Sequence, residues 1–316
     1  MGKYFKYAIG EILLVVIGIL IALQINNWNE KQANEKEAYN QLLEVQKEIL
    51  NNIAEFDRSG TYYFEKLRDV RRVFSDTLTL EDYQKSRTLR NIITSFSPVV
   101  TQNEAFNKLA ENADNLPDKY KTLVTEIKTL YNHSRFERSR TTLGVLSNQY
   151  FDFTTEFRES NYRGDYDAYF KFLLTSKAYK NKLARFSWTL DDVAPEIVRK
   201  KYHAIKVYNQ MIELGFPKMN NAIANMSIQK PKPEMVKPFV GKYTNKIDTI
   251  NISYEDKKLT GYYSKYDFTN KLILKDSTTI IFYGRALEFN ENKSEFYYLM
   301  DGRKPNFKRI PENGFI

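Results

Sequence analysis

With 316 residues, 42% of them hydrophobic and 15% aromatic, the chain is long enough to bury one large core or two modest ones. It has no cysteine, which excludes disulfides, thiolate nucleophiles and cysteine-held metals, and suits a compartment where stray thiols would be oxidised. A net charge of +9 and a pI near 9.2 favour acidic partners; lipid headgroups, lipopolysaccharide and acidic protein surfaces are available outside the cytoplasm, whereas chromosomal DNA is not, so no nucleic-acid partner is expected.

The first element is Tyr7 to Ile25, an apolar run whose only carboxylate is Glu11. As a helix it is about 28 Å long, close to the roughly 30 Å of a bilayer's hydrocarbon core, so it reads as a transmembrane anchor. Lys3, Lys6 and Tyr7, with Tyr4 and Phe5, flank one end and Trp28 the other, where interfacial anchors belong. A cleaved secretory signal is the competing reading; it is disfavoured because no small-x-small pair marks a cut site near Ala22 and the run exceeds a usual signal core. Lys3 and Lys6 on one side, against Lys31 and Lys36 diluted by Glu30, Glu35 and Glu37, place the N-terminus in the cytoplasm and the bulk outside. Ala8, Glu11, Val15, Gly18 and Ala22 follow spacings of three and four and share one face, with Gly18 and Ala22 forming a small-xxx-small pair. That stripe is expected to pack against a second copy or a partner's helix, with Glu11 hydrogen-bonded across the contact. The bland alternative is that Glu11 snorkels to the headgroups.

Tyr7-Ala8-Ile9-Gly10-Glu11-Ile12, continuing to Gln24-Ile25-Asn26-Asn27-Trp28-Asn29-Glu30, resembles the hallmark of a large family of uncharacterised single-span membrane proteins from Bacteroidota. Asn103 to Leu109 and Leu130-Tyr131 are loosely similar to the same family. The resemblance implies a protein of the bacterial inner membrane in a Gram-negative envelope, with a periplasmic domain, and brings no catalytic residues.

Beyond the span, Ala38, Leu42, Val45, Ile49, Ile53 and Phe56 recur at helical spacing, and no Pro or Gly lies between Ile25 and Ser59 to separate them from the anchor. Ser59-Gly60-Thr61 is expected to break this helix, and Tyr63, Leu67, Val70 and Phe74 to resume it. Periodic segments follow over about 80–96, 102–113, 117–135, 138–158, 165–174 and 177–214, with Pro195 expected to kink or interrupt the last. Thr101 followed by Glu104 reads as a capping box, and Ser187 or Thr189 before Asp191 and Asp192 as a helix start. The mixed charges from Glu65 to Arg72, and the basic run Arg199-Lys200-Lys201, read as solvated faces.

Pro231 and Pro233 make 228–235 an extended linker. After it the apolar period switches to two, as in Ile250, Ile252 and Tyr254, and about eight short strands predict a small antiparallel β-barrel or curved meander. Phe239 to Tyr243 with Ile250 to Tyr254 is similar to a lipocalin-like module appended to envelope proteins. Tyr263, Phe282, Phe289 and Phe296 are its expected interior; a filled barrel would be a docking module, a hollow one a ligand site. The fold class is thus membrane-anchored α + β: an anchor at 1–29, an all-helical domain at 30–227, the linker, and a β domain at 236–316.

Chemistry is sparse. The chain has two histidines, His133 and His203, and a metal centre would need both plus distant carboxylates. No glycine-rich phosphate loop or Gly-x-Ser-x-Gly elbow occurs, and no cofactor is expected. The expectation is a non-catalytic membrane-anchored envelope scaffold or interaction module, whose partners are the membrane and other envelope proteins or a second copy of itself. The alternative is a barrel that binds a small apolar or sugar ligand; an envelope enzyme comes third.

Overall fold

The computed structural model describes residues 2–95, 98–113, 116–132, 134–219, 232–298 and 306–311. Its longest element, α1 (Gly2–Phe74), is one uninterrupted helix of 73 residues. The expected break at Ser59-Gly60-Thr61 is absent. Ser59 is buried and donates its hydroxyl to Glu55 one turn back, at 3.1 Å, so its polarity is satisfied inside the helix. Gly60 is small for a packing reason: a Cβ there would sit 3.4 Å from the Val198 side chain and 3.6 Å from that of Ile197, so the glycine sets how closely the last long helix approaches.

The segment 80–96, read as one helix, is two short ones, α2 (Leu80–Lys85) and α3 (Arg87–Arg90). A capping box of Thr79 and Asp82 starts α2, and Ser86 both ends it and caps α3. Next comes α4 (Glu104–Glu111), which lacks the expected capping box. Glu48 of α1 supplies the acceptor instead, taking the backbone N–H groups of Ala105 at 2.8 Å and Phe106 at 3.3 Å, where a helix N-terminus favours a carboxylate. Neighbouring Asn52 and the backbone of Gln102 exchange two hydrogen bonds of 2.8 Å, so α1 fixes this loop as well.

The helices α5 (Asp118–Leu130), α6 (Ser134–Phe153), α7 (Arg158–Tyr162), α8 (Asp167–Thr175) and α9 (Lys177–Glu213) complete the helical part. Ser176 caps α9 through the Tyr179 N–H. Ser187 and Thr189 lie inside α9 rather than starting a helix, and Pro195 is buried within it without interrupting it. From Ala38 onward α1 buries one face, through Leu42, Val45, Ile49, Ile53, Leu67 and Val70, against α9, its most extensive packing partner.

Two lysines are buried in this core, and both cap carbonyls. Lys200 donates to Leu130 and Asn132 at the C-terminal end of α5, and Lys66 donates to Ile92 at 2.7 Å and Asn91 at 3.2 Å. Burial lowers both ammonium pKa values, that of Lys66 to about 7.

The connector does not stay extended to 235: Pro233 opens a helical turn, α10 (Pro233–Val236), whose Val236 is already buried in the barrel core. Strands β1 (Gly241–Thr244), β2 (Thr249–Glu255), β3 (Lys258–Tyr263), β4 (Phe268–Leu274), β5 (Thr279–Phe282), β6 (Arg285–Phe289), β7 (Glu295–Tyr298) and β8 (Asn306–Arg309) follow. Each pairs antiparallel with the next, and β8 pairs with β1 through Arg309 and Tyr243, so the sheet closes as an eight-stranded barrel. Left-handed φ at Asp256 and Lys257 gives the β2–β3 hairpin the turn that matches strand twist.

Two outcomes test this core. Gly60→Ala should be tolerated and gain up to about 1 kcal/mol of helix propensity, whereas Gly60→Leu should lose about 1–3 kcal/mol by wedging α1 from α9, as read by urea unfolding in detergent. Because the folded pKa of Lys66 lies below its unfolded value, the unfolded chain binds more protons between pH 7 and 10, and stability should rise with pH across that window. Lys66→Met should flatten the rise measured from pH 7 to 9; an unchanged slope would refute the assignment.

Candidate functional site

The site begins at the bare end of α1. From Glu11 to Asn34 every residue is exposed, including Leu14 at 73%, Leu20 at 56% and Trp28 at 62%, and Ala38 is the first buried side chain. This stretch makes α1 long and apolar enough to cross a membrane, with none of its apolar window buried against the rest of the protein. Glu11, Val15, Gly18 and Ala22 are exposed, and nothing lies within 4 Å of the place a Gly18 Cβ would occupy. Ala8, Lys3, Lys6 and Tyr7 belong to the helix backbone, and their side chains lie outside what the structure describes.

The same helix enters the core without a joint. Near the entry, Lys119 of α5 pairs with Glu35 at 2.8 Å, and Tyr39 stacks on Phe216 at 4.7 Å, which ties the α9 end to α1. Lys119 holds the half-buried Glu35 carboxyl below its ordinary range.

Farther along, α1 meets the barrel. Arg68 and Arg71 both pair with Glu288 of β6, and the Arg71 guanidinium stands 4.6 Å from the Tyr297 ring centre. On α9, Asp191 accepts two hydrogen bonds from Arg285, at 3.0 and 3.3 Å, and Arg199 donates to the Tyr283 carbonyl at 3.1 Å. Gly284 occupies the turn between β5 and β6 at φ +80°, where a Cβ would fall 2.3 Å from the Pro195 carbonyl oxygen. Ile281 and Ala286 join the helical core rather than the barrel core. Ring-flanked, partly buried ion pairs and a glycine contact therefore clamp the barrel to both long helices.

The two charge runs read as solvated do otherwise. Lys66 and Asp69 are buried, and Arg68 and Arg71 face the barrel. Of the basic run, Arg199 holds the barrel, Lys200 caps α5, and Lys201 pairs with Asp57 of α1. Sequence reasoning missed Glu288, Arg285 and Asp191; the available signal was that Arg68 and Arg71, three apart, share one face of α1.

Tyr263, Phe282, Phe289 and Phe296 are all buried inside the barrel with Phe239, Tyr243 and Phe307, neighbouring rings standing 4.7 to 5.5 Å apart around Phe289 and Phe296. Gly261 leaves room for Leu272, whose side chain would lie 3.1 Å from a Cβ there. Tyr243 donates to the Phe239 carbonyl and is held by Arg309, which seals one end. A barrel of this size is just wide enough for side chains or one small ligand, and here rings occupy it.

His203 shares Glu126 with Lys206, at 3.0 and 3.1 Å, while His133 lies outside the described residues. Lys206 and His203 hold the Glu126 carboxyl below its ordinary range. Among the described residues no cluster of His, Asp and Glu is placed to hold a metal ion.

Residues 11–110 match a family of unknown function (DUF6090). The match spans α1 from Glu11 through most of α4 and leaves α5–α9 and the barrel outside it. No curated protein and no solved structure matches the chain. Over this stretch the chain is similar to an uncharacterised family, and the match begins within the hallmark string, at Glu11.

At the junction, Gly284→Ala should loosen the clamp by at least about 1–2 kcal/mol, because it adds both left-handed strain and a clash with Pro195. Gly164→Ala, also at positive φ but with open space around it, is the control for strain alone. Hydrogen exchange should accelerate at 281–288 and 191–199 in the first variant only.

Proposed function

We propose that the protein is a non-catalytic, membrane-anchored scaffold of a bacterial envelope, built of an anchor at 1–29, a helical domain at 30–227 and a β domain at 236–316. The observation that carries this reading is the continuity of α1 from a fully exposed apolar stretch into the core of the helical domain and on to the barrel. An apolar cylinder with no protein cover has its natural solvent in hydrocarbon. A helix without a joint transmits position, so the span fixes how far the barrel stands from the membrane: Arg68 lies 40 residues beyond Trp28, about 60 Å at about 1.5 Å per residue.

The orientation follows from Lys3 and Lys6 and from the absence of cysteine, which suit an inner-membrane protein with a cytoplasmic N-terminus and a periplasmic bulk. The ring-filled barrel supports docking over ligand storage. The partners are the membrane and other envelope proteins or a second copy, met through the face carrying Glu11, Val15, Gly18 and Ala22.

Two measurements test the reading. Ile247→Cys introduces a single thiol at a residue 86% exposed in the barrel, and a membrane-impermeant reagent should label it in spheroplasts. Protection that disappears on lysis would reverse the orientation. In a membrane two-hybrid assay, Glu11→Ala and Gly18→Ile should each lower association, whereas Leu14→Ile and Leu20→Ile should not; four variants equal to the parent would reduce the span to a plain tether.

A further inference from the structure

A cleft of about 750 Å³ opens at the side of the helical domain, between α3, the end of α6, α7 and the start of α8. Arg87, Arg90 and Arg158 line it, and no carboxylate does. Several other arginines of the chain find acids, as Arg58 does with Glu55, Arg72 with Asp69, Arg163 with Glu159 and Arg199 with Glu196. None of the three cleft arginines forms an ion pair with a described residue. Their partners are neutral. Arg158 donates to the Phe151 carbonyl at 3.1 Å, and Arg90 donates to the Gln84 carbonyl at 3.5 Å and stands 5.6 Å from the Phe170 ring centre. Such contacts position a guanidinium without neutralising it, and the cleft keeps a concentrated positive field.

Two further features narrow the ligand. Phe151, Tyr162 and Tyr166 line the same cleft and are 43%, 93% and 40% exposed, so flat ring faces stand open beside the arginines. Tyr166 is held by stacking on Phe170 at 5.5 Å. Asn91, Thr94 and Asn161 add neutral polar side chains to the same lining.

We propose that this cleft binds an acidic saccharide. Its phosphate or carboxylate meets the arginines, its ring face lies on an exposed aromatic ring, and its hydroxyls face the neutral polar side chains of the lining. A nucleic-acid strand also offers anions and ring faces, but it needs a charged track along its backbone. Here the three arginines line one hollow. The cleft sits far from the span: Lys66 of α1 reaches Asn91, next to Arg90, about 57 Å along the helix beyond Trp28. This reading does not depend on the scaffold proposal.

The test is saturation-transfer NMR on the full chain in detergent micelles, with glucose 1-phosphate, galacturonic acid, N-acetylglucosamine, inorganic phosphate and a short oligothymidylate as probes. Both acidic sugars should bind, and the neutral sugar at least about tenfold more weakly, since a charged hydrogen bond carries at least that discrimination. The double variant Arg90→Gln with Arg158→Gln should weaken both acidic sugars by about tenfold or more. Tyr166→Ala should weaken the sugars and leave inorganic phosphate unchanged. Equal affinity for phosphate and glucose 1-phosphate would make the cleft a plain anion site and overturn the saccharide assignment. Tighter binding of the oligothymidylate, or unchanged sugar binding by the double variant with a parent-like circular dichroism spectrum, would overturn it too.

Discussion

Everything in this fold hangs on the burial of one face of α1 against α9 in a helix that has already run the length of a bilayer. From Ala38 onward α9 covers the apolar stripe of this helix, whereas its earlier apolar stretch has no protein cover. From Ile12 to Ile25 the apolar residues encircle the helix, and from Ala38 they occupy a stripe. The polar stretch between them, with Glu30, Lys31, Lys36 and Glu37, is where the two environments meet. Gly60 then matters more than its size suggests, because it lets α9 come close enough for Val198 and Ile197 to fill the seam.

Polar groups from α1 and α9 organise the rest. Glu48 and Asn52 fix the entry to α4, Lys66 and Lys200 gather loose carbonyls, and Arg68 and Arg71 seize the barrel. The two lysines bury their stems in the core while their ammonium heads find carbonyls. The ion pairs to Glu288 and Asp191 are partly buried, so they specify where the barrel docks more than they stabilise it.

How much of this was legible follows from range. The span, the helical period after Ala38, the switch to period two after Pro233 and the aromatic residues inside the barrel are written in neighbouring residues, and local pattern suffices to see them. The continuity through Ser59 and Gly60 was not legible, since what a glycine does there depends on Val198, far along the chain. The cap on α4 was misread for the same reason: Thr101 and Glu104 have the right spacing, but Glu48 arrives from another helix and takes the N–H groups first. The barrel clamp joins Arg68 to a carboxylate 220 residues later, and charge runs read locally look solvated whichever way they point.

The seam between α1 and α9 also sets the order of events in biogenesis. A chain emerges from its N-terminus, so α1 is complete long before Lys177 appears, and its stripe from Leu42 to Val73 must wait for a partner not yet made. At about 5–20 residues per second, the 139 residues from Phe74 to Glu213 take roughly 7–28 s to synthesise, far longer than collapse of the finished domain requires. During that interval the stem of the nascent protein carries an uncovered apolar stripe, and that exposure ends only with the arrival of its own last long helix.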